Sequence, residues 1–115
     1  MEEIAWTLPI ICGALVAALW LTEPAPSVGA GLVVSDEEVL SITAKHCTMC
    51  HAAKPTHQGF KEAPKGVVLE TLDELRRYRA QIEAQAVRNK SMPLGNETQM
   101  TDEERAKLGA WLAAQ

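Results

Sequence analysis

The segment HCTMCHAAKP, residues 46–55, determines how the chain is interpreted, because the reactive side chains are concentrated there. It contains two of the three cysteines and two of the three histidines of the protein. Two residues separate Cys47 from Cys50, and His51 follows directly. Residues three apart on a helical turn project toward one face, so both thiols can meet one bound group while the next residue presents its imidazole to it. The segment therefore predicts an attachment site.

The pattern C-x-x-C-H is the attachment signature for c-type haem. We expect the thiols of Cys47 and Cys50 to form thioethers with the porphyrin, and the Nε2 atom of His51 to ligate the iron. The two long connecting segments, residues 52–70 and 89–100, also favour a bound group, because loops of this length are uncommon in a small domain unless they wrap around something.

The opposite face of the iron needs a second ligand or an open position. Met92 is the favoured candidate, because it lies in a loop between two predicted helices, in the sequence SMPLG, where Pro93 stiffens the chain. Met100 is the second choice, and His57 and His46 are further candidates. With His51 and Met92 both bound, the iron would be six-coordinate.

Two other interpretations of the cysteines are less well supported. A thioredoxin-like dithiol would need C-x-x-C within a βαβ pattern, and the sequence has none. A tetrahedral zinc site could be written with Cys47, Cys50, His51 and His57, but the adjacent ligands 50 and 51 make a tetrahedron difficult to close.

Three helices are predicted downstream of residue 34, each by a Ser or Thr followed three residues later by Glu, which is the capping-box signature. The expected starts are Asp36, Leu72 and Asp102; the first helix runs into the cysteine motif, the second ends near Arg88 and the third reaches the C-terminus. The predicted fold class is all-α, with three main helices around one haem and one transmembrane helix before them.

That transmembrane helix is predicted from residues 4–22, which carry no charge and would form a helix roughly 28 Å long, about the thickness of a bilayer's hydrocarbon layer. A cleaved secretory signal is the alternative, but the N-terminus is acidic and the apolar run is long. The expected organisation is an anchor at 1–22, a linker at 23–34 and a domain at 35–115. All 11 basic residues lie from Lys45 onward among many acidic ones, which excludes a nucleic-acid partner.

The domain resembles class I cytochrome c, and the strings CHAAKPT, APKGV, MPLGN and TDEER resemble more narrowly the C-terminal cytochrome c domain of bacterial membrane-bound urate oxidases. The resemblance implies that the backbone carbonyl of Pro64 orients the Nδ1–H of His51. One departure is that Val39 and Thr43 stand where the first helix of that family has a glycine and an aromatic residue.

The resemblance implies an electron carrier with one haem c, not an enzyme in itself. Its expected partners are membrane lipid, through residues 4–22, and a membrane-bound redox enzyme or its subunits. The expected location is the bacterial inner membrane, single-pass, with the haem domain in the periplasm. Alternatives are an accessory or assembly subunit, the electron-exit domain of a urate oxidase, and a gas or redox sensor with an open sixth position. Four lysines are candidates to steer an acidic partner: Lys45, Lys54, Lys61 and Lys65.

Overall fold

The computed structural model describes residues 31–115, which form helices and connecting loops with no strand among them. The α-helices are α1 (Asp36–His46), α2 (Leu72–Arg77), α3 (Arg79–Ile82) and α4 (Asp102–Ala113). A π-helical segment, Glu83–Arg88, continues α3, and two short 3-10 turns, Pro64–Gly66 and Leu94–Asn96, lie in the loops.

Helices α1 and α4 pack against each other with opposed directions. The indole Nε1–H of Trp111, near the end of α4, donates to Oδ1 of Asp36 at the start of α1, over 2.8 Å. At the other end, His46 closes α1 beside Glu104 in the first turn of α4, with 2.7 Å between Nε2 and Oε2. Apolar side chains from both helices, the middle helical region and the loops form one core: Val39, Ile42, Leu69, Leu75, Ile82, Ala86, Val87, Met100, Leu108, Trp111 and Leu112.

The predicted helix starts are correct, and two of the three capping boxes are complete. Thr71 and Thr101 each accept the amide of a glutamate three residues on, whose carboxylate reaches back to the threonine amide. At Ser35 only half of the box forms, because the Glu38 amide donates to the serine hydroxyl over 3.1 Å while the Glu38 carboxylate pairs with Lys107 at 2.7 Å.

The predicted middle helix is not continuous. Its α-helical path is interrupted at Tyr78, where φ is −102° and ψ is 17°, and its last turns widen into the π-helical segment. The sequence from Leu72 to Arg88 has neither glycine nor proline, so local sequence does not explain the break at Tyr78. The widened last turn, by contrast, is held by contacts with residues distant in sequence, described below.

The predicted fold class needs a correction concerning the membrane. Among residues 31–115 no helix has both the length and the apolar character required to cross a bilayer. The longest one, α4, has 12 residues and rises about 18 Å, well below the hydrocarbon thickness, and it carries charged side chains. The segment 4–22, on which the prediction of a transmembrane helix rested, lies outside the described residues, as does most of the predicted linker.

Candidate cofactor-binding site

The cysteine motif forms a tight turn directly after α1. The Cys47 amide donates to the Thr43 carbonyl over 2.8 Å, and the Cys47 carbonyl then accepts from the amides of Cys50 at 3.2 Å and His51 at 2.9 Å. These hydrogen bonds form one turn of the chain, so that Cys50 and His51 lie one turn after Cys47. Both cysteines are free thiols and are half-buried. The backbone therefore has the compact turn on which the attachment signature depends.

The surroundings of the two thiols do not favour a redox dithiol. Burial, with a smaller contribution from the nearby Cys50, raises the pKa of Cys47 to about 12. Burial and the carboxylate of Glu97 also raise the pKa of Cys50. Reactive dithiols have lowered thiol pKa values, because the thiolate is the nucleophile and the leaving group. Both thiols are thus protonated at neutral pH, which does not suit thiol–disulfide exchange.

The imidazole of His51 is oriented from one side only. Its Nδ1 lies 2.9 Å from the carbonyl oxygen of Val67, and because a carbonyl only accepts, Nδ1 carries the proton. The His51 carbonyl in turn accepts the amide of Leu69 over 2.8 Å, so residues 67–69 hold both the ring and its backbone. Nε2, the other ring nitrogen, has no hydrogen-bond partner among residues 31–115.

The orienting carbonyl differs from the one that the resemblance implied. Pro64 begins a 3-10 turn, and its carbonyl accepts the Val67 amide over 3.1 Å, which closes the turn. Lys65 and Gly66 both have positive φ, 56° and 69°, and this reversal places Val67 next to the imidazole. The role expected of Pro64 therefore belongs to Val67, and Pro64 contributes indirectly by forming the turn.

The other two histidines have both ring nitrogens engaged. His46 is buried, with Nδ1 2.7 Å from Oγ1 of Thr98 and Nε2 2.7 Å from Oε2 of Glu104. His57 accepts the Gly59 amide at Nδ1 over 3.0 Å and donates from Nε2 to Glu97 over 2.9 Å. Neither of them can ligate a metal without losing a hydrogen bond. Among residues 31–115, His51 is therefore the histidine with a ring nitrogen available to ligate a metal.

The structure separates the two candidate methionines. Met100 is 4% exposed and belongs to the hydrophobic core. Met92 is half-buried at the margin of that core, and both polar groups of its backbone are bonded: its amide donates to the Gln85 carbonyl over 2.9 Å and its carbonyl accepts from Arg105 over 2.8 Å. A thioether at the margin of the core can be offered to a cofactor more readily than one enclosed within the core, which favours Met92.

The donor set fits a haem better than a zinc ion. Within residues 31–115 no three or more histidine, cysteine, aspartate or glutamate side chains converge as a metal site. The set expected for zinc included His57, which is bonded to Glu97. A c-type haem needs free thiols on one turn, an imidazole with an available Nε2 and a thioether from another loop. Cys47, Cys50, His51 and Met92 meet these requirements one by one.

Three features of the site were not predicted from the sequence. The first is the acceptor role of Val67. The second is the hydrogen-bonded pair of His46 and Glu104 with Thr98, which joins the end of α1 to the loop that carries Met92. The third is Arg105, 4% exposed. A signal for the last was present, because Arg105 shares a helical stripe with Leu108 and Leu112 at spacings of three and four.

No family model matches the chain, and comparisons with curated proteins and with solved structures likewise gave no match.

Proposed function

We propose that the domain carries one covalently attached haem c and works as a single-electron carrier. The observation that carries this proposal is the placement of His51, whose Nδ1 is held by the Val67 carbonyl while Nε2 has no hydrogen-bond partner among residues 31–115. The free thiols of Cys47 and Cys50 lie on the same turn of the chain. An imidazole oriented through its second nitrogen is the usual arrangement of a metal-ligating histidine.

Each residue has a defined task in this proposal. When bound, the haem supplies an iron that exchanges one electron between its ferric and ferrous states. Cys47 and Cys50 would hold the porphyrin through thioether bonds, and His51 would offer its imidazole to the iron. Met92 would supply a thioether as the second protein ligand, and thioether ligation favours the ferrous state. If His51 and Met92 both ligate the iron, the chain leaves no coordination site for a substrate, which is why we propose a carrier and not an enzyme.

The sensor alternative is disfavoured by how Met92 is held. A gas sensor needs an open or labile sixth position, whereas the backbone of Met92 is bonded at both its amide and its carbonyl. A loop fixed at the ligand itself opposes the opening that such a sensor requires. Carbon monoxide binding to the ferrous protein at neutral pH would favour the sensor.

We propose a redox enzyme as the partner, with contact made on the side of the cysteine loop. Lys54, Lys61 and Lys65 are exposed there and form no ion pair within residues 31–115, so their charges are available to steer an acidic surface. Lys45 differs, because it lies 3.8 Å from the Glu104 carboxylate. The resemblance to the urate oxidase domain suggests such an oxidase as the electron donor, and haem attachment outside the cytoplasm suggests the periplasm.

The test is covalent haem content. The full chain is produced in a bacterial host with the c-type haem maturation machinery, and the denatured protein is examined in alkaline pyridine. We expect one haem c per chain that acidified acetone does not extract. The double variant Cys47→Ser, Cys50→Ser should lose it, whereas the control Cys12→Ser, at the third cysteine, should keep it. A wild-type chain without haem, or with haem that acid extracts, would overturn the proposal.

A further inference from the structure

Arg105 is a buried cation that has no anionic partner within residues 31–115. Its residue is 4% exposed, and no carboxylate among residues 31–115 lies within ion-pair distance of it. Arginine is rarely buried in this way unless it is paired, because removing its charge from water is costly. The guanidinium is instead satisfied by neutral acceptors, and the identity of these acceptors indicates what the residue does.

In the part of the chain that the structure describes, the guanidinium has three acceptors, and all belong to the segment that carries Met92 or leads into it. Nη1 donates to the Ala86 carbonyl in the π-helical segment and, over 2.8 Å, to the Met92 carbonyl. Nη2 donates to Oδ1 of Asn96 over 3.3 Å. Carbonyls in the last turn of a helix have no amide partner within the helix, so the Ala86 carbonyl needs such a donor.

Through Asn96, Arg105 is also connected to the end of the loop at Met100. Oδ1 of Asn96 also accepts the Met100 amide over 3.0 Å, and its Nδ2 donates to the Met100 carbonyl over 3.4 Å. Met100 itself is fixed in the core. Arg105 therefore connects the helix before the loop, the carbonyl of Met92 and the anchored end of the loop through one planar, rigid group.

We propose that Arg105 is the positioning residue that holds Met92 as the sixth ligand. The proposal rests on the function proposed above. The Gln85 carbonyl fixes the amide of Met92, whereas among the described residues only Arg105 bonds its carbonyl and ties it to α4. Without the guanidinium, the Met92 carbonyl and the Asn96 side chain lose their hydrogen bonds to α4, and the thioether is released from the iron more often.

The test measures how easily imidazole displaces the thioether from the ferric holoprotein. Arg105→Gln should bind imidazole at least about tenfold more tightly than wild type, since hydrogen bonds from charged groups are each worth about that factor or more. It should also weaken the long-wavelength absorption band of methionine-ligated ferric haem. Arg105→Lys keeps the charge but not the planar fork, so its affinity should lie between the two.

Two further variants separate positioning from general destabilisation. Arg76→Gln removes an arginine that bonds Asp73 and Gln115 and does not contact the loop, so its imidazole affinity should equal that of wild type. Asn96→Ala removes one of the three acceptors of the guanidinium, together with the two hydrogen bonds to Met100, but leaves the buried charge and its bond to the Met92 carbonyl. It should raise the affinity by less than Arg105→Gln. If the Arg105 variants do not fold, the imidazole affinity of Asn96→Ala tests the inference in their place.

Hydrogen exchange of the ferrous holoprotein gives a readout independent of ligand exchange. The Met92 amide should exchange faster in Arg105→Gln and Asn96→Ala, while amides in α1 remain as protected as in wild type. Unchanged imidazole affinity in the Arg105 variants, or an equal rise in Arg76→Gln, would overturn the inference while leaving the haem assignment intact. A wild-type protein without covalent haem would overturn the function itself, so the two failures are distinguishable.

Discussion

Nε2 of His46 lies 2.7 Å from Oε2 of Glu104. His46 is the last residue of α1, directly before the cysteine turn, so this contact joins the end of α1 to the first turn of α4. Since a carboxylate accepts, Nε2 donates. The same carboxyl group completes the capping box of α4 through Oε1, which accepts the Thr101 amide over 3.1 Å. Glu104 thus both caps the N-terminus of α4 and holds this helix against α1.

His46→Ala should destabilise the domain by about 1–3 kcal/mol, because it leaves the partly buried Glu104 carboxylate and the Thr98 hydroxyl without their partner. Equilibrium urea unfolding measures the loss. The matched control is Lys45→Ala, which removes a side chain that is 61% exposed and whose ammonium lies 3.8 Å from the same carboxylate. It should change stability by less than about 0.5 kcal/mol. Equal effects of the two variants would contradict a specific role for His46.

The free energy of unfolding should decrease in acid because the carboxyl group of Glu104 becomes protonated. Burial of this carboxyl acts to raise its pKa, but the hydrogen bonds from His46 and Thr101 outweigh it and lower the pKa below the ordinary 4.5. A group with a depressed folded-state pKa stabilises the fold above its unfolded-state pKa, and the contribution is lost as pH falls through the folded value.

The measurement is the urea midpoint of wild type and Glu104→Gln at about pH 6 and about pH 3. Wild type should lose more stability between these conditions than the variant, whose amide does not titrate. Parallel pH profiles for the two proteins would show that Glu104 is not responsible. Glu103→Gln, at an exposed carboxylate of the same helix turn, serves as the control.

Met92→Ala and Met100→Ala should have opposite consequences. Met92→Ala should abolish the spectrum of methionine-ligated haem and lower the reduction potential, with a modest loss of stability, because Met92 is only half-buried. Met100→Ala should leave the axial ligands unchanged but destabilise the core by about 2–5 kcal/mol. Absorption spectra and urea unfolding of both variants give the comparison, and loss of methionine ligation in Met100→Ala would reverse the assignment.

Trp111→Phe tests the docking of α1 against α4. The variant keeps an aromatic ring in the core but loses the indole N–H that donates to Asp36, and we expect a loss of about 1–2 kcal/mol. Asp36→Asn keeps an acceptor at the same position and should cost less. Thermal or urea unfolding distinguishes them. If Trp111→Phe were as stable as wild type, the hydrogen bond would not contribute to docking.

Features governed by near neighbours in the chain could be predicted from the sequence alone. The starts of α1, α2 and α4 were predicted because a capping residue and its glutamate lie three positions apart. The cysteine turn belongs to the same class, since its hydrogen bonds span three or four residues. In both cases the interacting groups are covalently close, so the fold of the rest of the chain has little influence on them.

Tertiary structure decided which distant groups meet. The acceptor for His51 is Val67 and not Pro64, because a turn with two positive φ angles selects the carbonyl that faces the ring. The break at Tyr78 and the widened π-helical end also escaped the sequence pattern, which has the periodicity of one continuous helix.

Arg105 shows most clearly why contacts between distant residues could not be predicted from the sequence. In the sequence it is one charge among several in the first turns of α4, and its place on the stripe with Leu108 and Leu112 indicates burial but not which groups it would bond. Its acceptors lie 9 to 19 residues away, on the helix and loop that precede α4. Only the packing of α4 against these segments buries the guanidinium and brings the Met92 carbonyl within its reach. The sequence by itself thus determined the candidate ligands, and the tertiary structure decided how they are held.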